Sequence, residues 1–389
     1  MGALSDTSLA DAFRRYAVDV IAPVADAWDA AEAIPRDVYT DLAAQGWLGG
    51  PLATKWGGHE WSAAVFGEFC AAIGGASMSL LSTLTVHHMA MSMIAQWGDE
   101  SLQQRLLPAM VRGECLGGFA LTEPGVGCAA TDVATVAEKT ASGYSLNGTK
   151  KWTSGGMLAD GFVVLTRLGE EGPTAFWAER AAGGLTSTLI SGMLGFRAAM
   201  NTEQQFAHVP VTDDAMLGPA GGGFAFVFNT GLDLGRFIIA WGSLGLMRAS
   251  LTAAATYATT RRQFGKPLAE HQLIQRHLAE MHTSLRATEG LCRRAAELRD
   301  ARAPNSIMET ATAKYFASRA ASRGADLAVQ IHGAEGCGPG RPVQRYFRDA
   351  RITELIEGSN EMQEIMLGQY AVAEYGRRPA SPRRVKVTS

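Results

Sequence analysis

"GYSLNGTKKWTSGG", residues 143–156, is where the texture of the chain changes. Asn147–Gly148 lies between two strand-like halves, and that dipeptide is the strongest short-range sign of a two-residue hairpin turn. The spacing therefore predicts a hairpin turning at Asn147–Gly148. Downstream, "GFVVLTRL" (161–168), "TAFWAE" (174–179) and "QQFAHVPV" (204–211) are short apolar or alternating runs parted by Gly, Pro and acidic clusters. Residues from about Leu116 to Gly223 thus read as a small antiparallel sheet domain.

The flanks are different. From Ser5 to about Arg112, apolar residues recur at three-and-four spacing, the period of an amphipathic helix. Pro23 and Pro35 are expected breaks and Gly46 an expected stop. The small-residue stretch Phe66 to Met93 predicts closely approaching helices. In "DESLQQRLLPAMVRGE", Asp99 or Ser101 is the candidate cap of a further helix. After Phe224 the helices are longer: one running to Gly265, one stopping before Pro304 and one closing on Gly333. Four long amphipathic helices with short connections predict a bundle.

The expected fold is α+β. It has an N-terminal helical domain (1–115), a middle antiparallel β domain (116–223) and a C-terminal four-helix bundle (224–376). A basic, proline-interleaved tail (377–389) reads as a disordered end. At 389 residues, two or three subdomains are the expectation on length alone.

Composition excludes several classes. With 35 basic against 38 acidic residues, nothing argues for nucleic-acid binding. The cysteines (Cys70, Cys115, Cys128, Cys292, Cys337) are odd in number and scattered, without a Cys-x-x-Cys pair, so neither a disulfide framework nor a zinc site is supported. No charged-then-apolar leader precedes the first helix and no uncharged apolar run reaches spanning length. The expectation is a soluble protein of the reducing cytosol, with no membrane insertion.

Four separated stretches then narrow the reading. They are "FALTEPGVG" (119–127), "LNGTKKWTSGG" (146–156), "YATTRRQFGKPLAEHQLIQRHLAEM" (257–281) and "AVQIHGAEGCGPGRPVQRYFRDARITELIEGSNEMQ" (328–363). Together, in this order, they resemble the acyl-CoA dehydrogenase family, flavoenzymes with the same helix–sheet–helix order. The resemblance spans essentially the whole chain and implies FAD as cofactor.

By matching positions, Phe119, Leu121, Thr122, Gly127 and Cys128 would line the flavin ring and the thioester, with Trp152 and Ser154 flanking the ring's other side. Physically, a Gly/Pro turn exposes backbone N–H groups, and a flat indole borders a planar ring well. The bland alternatives are an ordinary turn and a sheet-core tryptophan. In one place the sequence departs from the family, which usually reads Gly-Ser-Asp where this chain has Gly127, Cys128 and Ala129. A thiol stands where a hydroxyl is expected and the adjacent carboxylate is missing; Asp132 lies three residues on. The resemblance therefore does not carry over the usual contact to the substrate head.

Arg261, with planar donors, suits a pyrophosphate, and Gln263 and Phe264 suit an adenosine. On its own this is equally a solvated helix end with basic residues favourable to its dipole. The resemblance implies that these residues reach the cofactor of a neighbouring subunit, hence a homodimer or homotetramer. Gln330 and Gly333 would meet the same diphosphate, where a small residue lets backbone approach. His332 and the pair His87–His88 read as packing or capping residues, since no second ligand sits at metal spacing.

Glu357 is the candidate catalytic residue. Dehydrogenating a thioester between Cα and Cβ requires a base for the α proton and a hydride acceptor at Cβ. A carboxylate beside Leu355 and Ile356 has its charged form disfavoured, which makes it a better base. On capping grounds alone it is equally an acid before a helix, with Ser359 or Asn360 as N-cap. Glu357 matches the family's base in a Glu-Gly-Thr/Ser signature. The resemblance then implies hydride transfer to flavin N5, puts Ser359 and Glu361 among flavin contacts, and puts Gly358, Arg236, Asp233 and Cys128 on the substrate side. Arg348 and Asp349 read as scaffold ion-pairing.

"GRFIIAWGSLGLMRAS" and "ELIEGSNEMQEIMLGQYA" look closer to a subgroup of polyketide or nonribosomal peptide assembly, which handles acyl groups on an acyl carrier protein. The leading expectation is a FAD-dependent acyl-thioester dehydrogenase acting on an acyl-CoA or acyl-carrier substrate in secondary metabolism, with an electron acceptor the sequence does not name. The alternatives are an oxidase passing electrons to oxygen, a flavin monooxygenase of the same fold, and a non-catalytic flavin- or carrier-binding relative. The retained Glu357 argues against the last two.

Overall fold

A single helical path opens the chain in the computed structural model, which describes residues 6–376. Helix α1 (Asp6–Tyr16) passes through a π-helical turn (Ala17–Ile21) directly into α2 (Ala22–Ala31). Pro23 therefore does not break the helix as expected. It sits in the first turn of α2, where the wide turn before it absorbs the missing donor. The break falls instead at Glu32, whose left-handed backbone ends α2. Helix α3 (Asp37–Ala44) follows, then α4 (Ala63–Ala76), α5 (Met78–Trp97) and α6 (Glu100–Val111). Ser62, Ser77 and Asp99 cap the last three by accepting backbone N–H bonds from Val65, Leu80 and Leu102.

The sheet holds β1 (Gly117–Ala120), β2 (Val136–Thr140), β3 (Gly143–Thr153), β4 (Gly161–Leu168), β5 (Gly172–Glu179), β6 (Leu185–Leu189), β7 (Thr202–Val211) and β8 (Met216–Leu217). Its order is β6-β7-β3-β2-β4-β5-β8, with β1 also on β4. Most pairs are antiparallel, as expected, but β1 lies parallel to β4, as does β2 at a single point. The expected turn at Asn147–Gly148 is absent. The hairpin turns between Thr140 and Gly143, and β3 runs straight through Asn147. That pair makes a bulge against β7 instead, between Leu146 and Gly148. Gly148 has φ +151°, and a Cβ there would strike Thr135. Asn147 Oδ1 accepts the His208 backbone N–H at 2.8 Å, so its side chain serves the bulge.

Helix α7 (Asn229–Thr260) is the spine of the C-terminal region. It stops five residues before the expected Gly265, because Arg262–Gln263 (β9) and Lys266–Pro267 (β10) form a short hairpin. Helices α8 (Gln272–Asp300), α9 (Ser306–His332), α10 (Val343–Thr353) and α11 (Asn360–Tyr375) follow within the described residues. The span Gly223–Thr260 is long and apolar enough by composition to cross a membrane, but it is mostly buried as a core helix. The small residues of α4 let it lie against α7 backbone to backbone: a Cβ on Gly245 would sit 1.9 Å from the Ala71 carbonyl oxygen.

Two apolar cores result. One gathers Phe13, Phe69, Phe237 and Trp241 among the helices; the other gathers Phe162, Trp177, Phe206 and Phe228 around the sheet, with Met89 and Met93 of α5. They meet along α5 and the start of α7. The expected tail, 377–389, lies outside the described residues.

Candidate active site

The turn after α10 carries Glu357 in a left-handed backbone conformation (φ +54°), followed by Gly358 (φ +82°). Such a conformation costs a non-glycine residue about 1–2 kcal/mol, and strain of this kind collects where geometry is functional. Here it turns the carboxylate inward onto α7. A Cβ on Gly235 would lie 2.2 Å from Glu357 Oε2 and 3.1 Å from Met89 Sδ, so the missing side chain makes the room. Oε2 is buried and has no hydrogen-bond partner among the described residues.

Burial raises the Glu357 carboxyl to about 7, opposed by the positive charges of Arg236 and Lys314. The Arg236 guanidinium stands behind the turn: Nε and Nη2 lie 3.7 Å from where a Gly358 Cβ would be. Its Nε is also buried without a partner, and burial lowers its pKa while Glu357 and Asp233 raise it. A carboxylate poised near neutrality, with a free oxygen facing a glycine-lined wall, can remove a proton from a weak carbon acid.

One helical turn before Gly235, Gly231 carries the wall toward the sheet. A Cβ there would meet Met93 Sδ at 3.0 Å and the Phe119 ring at 3.4 Å. Phe119 lies on β1, its ring 4.8 Å from that of Phe228. The α7 glycines thus join the expected base to the expected flavin bed.

Beyond β1, the Leu121 carbonyl accepts from Lys150 Nζ (3.0 Å) and the Thr122 carbonyl from the Lys151 N–H (2.8 Å). Glu123, which takes the N–H groups of Ala134 and Thr135 and the Lys150 ammonium, pins the turn from beneath. Gly127 and Cys128 stand exposed at its tip. Trp152 (φ +62°) leaves 49% of its surface open, and Ser154 accepts from Ser82 while donating to Asn201.

These residues fit a flavin. Trp152 offers an open flat face at the end of a strand, and the tip turn, where a Cβ on Gly127 would meet nothing, leaves room for a ring.

Arg261, Gln263 and Phe264 stand apart on the β9–β10 hairpin, all exposed, Phe264 at 94%. Arg261 bonds back to Tyr257, whose ring stacks on His332 at 4.3 Å beside Gly333, so this group is contiguous with the Gln330–Gly333 end of α9. None of its recorded bonds reaches Glu357.

Other expected residues have different partners. Asp233 forms an ion pair with Arg299 at 2.6 Å and lies two residues before Gly235, nearly opposite it around α7. Ser359 occupies the N-cap position of α11 without a side-chain cap bond, and Asn360, inside the helix, is no cap. Glu361 is held below the usual carboxylate range, chiefly by a backbone hydrogen bond at the same helix start. Arg348 pairs with Asp29, while Asp349 accepts the Phe196 N–H; both are scaffold contacts, though not with each other. His87 accepts from the Gly117 N–H, and His88 and His332 each bond a carbonyl one turn back, which is packing.

Sequence reasoning missed Gly235, Met89, Met93 and Lys314. The glycines at 231 and 235, one turn apart and set among Leu232, Leu234, Arg236 and Phe237, were the available sign of a cleared face. Lys314 stands on an otherwise small-residue stripe with Thr310, Ser318 and Ala321, and that misfit was its sign.

Known proteins resemble this chain over nearly its whole length. Residues 5–114, 118–209 and 221–371 match family profiles described as the N-terminal, middle and C-terminal domains of acyl-CoA dehydrogenase. The chain is 34% identical to benzylmalonyl-CoA dehydrogenase of Aromatoleum aromaticum, over 93% of its own length and 96% of that protein's. Butyryl-CoA dehydrogenase from Megasphaera elsdenii superposes with a TM-score of 0.90 at 30% identity, covering 96% of this chain and 99% of the other. FkbI, whose structure is described as for biosynthesis of the methoxymalonyl extender unit of the Fk520 polyketide, superposes at 0.87 with 30% identity, covering 92% and 99%.

Proposed function

The chain belongs to the acyl-CoA dehydrogenase family, whose members are FAD-dependent enzymes, and from that premise we propose that it dehydrogenates a short acyl thioester between Cα and Cβ. The observation that carries this is Glu357 Oε2: buried, without a partner, and set against Gly235, one helical turn from the Gly231 that faces Phe119.

In this reading Glu357 takes the α proton. Its raised pKa brings its basicity closer to what a weak carbon acid demands, and Arg236 and Lys314 keep its ionised form accessible. Gly231 and Gly235 keep the approach to the carboxylate clear. FAD, held by the 119–128 turn, Trp152 and Ser154, supplies the hydride acceptor for Cβ when bound. Arg261, Gln330 and Gly333 would meet its diphosphate, and Gln263 and Phe264 its adenosine, across an interface with a second copy of the chain.

Met89 and Met93, fully buried against Gly235 and Gly231, favour a short acyl group. The likeness to butyryl-CoA dehydrogenase supports the same length. Secondary metabolism is supported by the likeness to FkbI, and an acyl carrier protein as the thioester's other half rests on the segments "GRFIIAWGSLGLMRAS" and "ELIEGSNEMQEIMLGQYA". An external acceptor would then reoxidise the cofactor. We place the protein in the cytosol, a setting compatible with its five free cysteines.

The test is anaerobic bleaching of the yellow protein by matched CoA and carrier thioesters of two to eight carbons. Short acyl-carrier substrates should bleach it fastest. Equal rates on both carriers would remove the carrier reading, and no bleaching by any thioester would remove the dehydrogenase reading.

A further inference from the structure

Lys314 sits in the first half of α9 with none of its surface exposed. Its ammonium donates to the Gly358 carbonyl at 2.8 Å and to Asn360 Oδ1 at 3.3 Å. One turn later, Ser318 Oγ donates to the same Asn360 oxygen at 3.0 Å, and Gln363 Nε2 reaches the Gly358 carbonyl at 3.3 Å. All four bonds converge on the two residues that follow the base by one and three positions.

An ammonium fully removed from water is costly unless bonded and balanced by opposite charge. The bonds are present, but no carboxylate among the described residues lies within ion-pair distance of it. The charges that act on it are Glu357, Glu354 and Glu361 on the turn and the start of α11, which favour its charged form, and Arg236 on α7, which opposes it. Glu357 leads the favourable ones. A strut that only held a turn would do so as a neutral amide, without the cost of a buried charge.

We propose that Lys314 is a positioning residue for Glu357. It fixes the Gly358 carbonyl and the Asn360 side chain so that Glu357 keeps its left-handed conformation, and it supplies positive charge behind the turn so that the carboxylate can ionise where water is excluded. The role rests on Glu357 as the base. Arg236 covers the carboxylate from α7 and Lys314 from α9, so the turn is held between two cations on different helices.

The test measures the Glu357 carboxyl directly, by carbon-13 titration of labelled holoenzyme with Glu357→Gln as the blank, beside the pH profile of kcat/KM. Lys314→Met should keep FAD while both the carboxyl titration and the acid limb move up by about one pH unit, lowering kcat/KM about tenfold at pH 6. Asn360→Asp, a milder change that brings a negative charge to the ammonium, should move both in the same direction and serves if Lys314→Met does not fold. A Glu357 titration unmoved by either variant overturns the proposal, whatever happens to kcat. If the carboxyl titration moves and the kinetic limb does not, Glu357 is not the base, which overturns the functional reading and leaves the Lys314–Glu357 coupling standing.

Discussion

Gly235 on α7 and Glu357 on the turn after α10, 122 positions apart in the numbering, are fitted to each other: the space a methyl would fill on one is occupied by Oε2 of the other. The fit makes Gly235→Ala a sharp test. Alanine should improve α7 by about 1 kcal/mol on helix propensity alone. A contact of 2.2 Å must displace the carboxylate, so turnover should fall at least tenfold while FAD content stays constant. Wild-type kcat in Gly235→Ala would show that the carboxylate works from another position.

Glu357→Gln should leave the flavin spectrum intact and slow substrate-dependent bleaching by two to four orders of magnitude, the range expected for loss of a general base. Stopped-flow absorbance under anaerobic conditions reads this directly. Bleaching at the wild-type rate would place the base elsewhere.

The pH dependence follows from the same burial. With the Glu357 carboxyl raised to about 7, kcat/KM should climb about tenfold per unit below that pH and level off above it. Stability should run the other way. The folded chain keeps a proton on this group between its ordinary 4.5 and about 7, where the unfolded chain has lost it, so folding stability falls as pH rises through that window. The loss is complete above pH 7 and on the order of 3 kcal/mol by the shift alone. Glu357→Gln should therefore raise the melting temperature at pH 8 and leave it unchanged at pH 4. An equal effect at both would mean that the carboxylate is not buried in solution.

Phe264, held at the tip of the β9–β10 hairpin by its own left-handed backbone, is exposed at 94%. Burying such a ring is worth about 2 kcal/mol. If it packs on a second copy, Phe264→Asp should lower both oligomer mass and FAD retention, measured by sedimentation and absorbance. An unchanged mass with full FAD would rule out the shared cofactor site.

Much of this was legible because the informative residues came with their context. Glu357 could be read from a turn signature flanked by apolar residues, and Asp99 from its place before a helix. Three misreadings share one cause, local chemistry overruled by its surroundings. Asn147–Gly148 has the chemistry of a turn, but β7 pairs along both sides of it and leaves only a bulge. Pro23 has the chemistry of a break, but a widened turn carries the helix past it. The "RRQFG" segment continues a helical composition, yet the left-handed Phe264 and Gly265 fold it back as a hairpin. Lys314 was missed for a different reason: its misfit on a small-residue stripe marks it as unusual, but its role lies in which turn α9 packs against, and no spacing within α9 encodes that.

The parallel pairing of β1 with β4 has a consequence in time. Phe119 and the turn beyond it cannot dock until the whole β2–β3 excursion has been made and β4 laid down, and closure over such a length is slow. The pocket floor should be among the last parts of the protein to assemble on refolding. Far-ultraviolet circular dichroism should recover first and quenching of added FAD later, with a lag that excess cofactor does not shorten; simultaneous recovery of the two signals would show that β1 is in place from the outset.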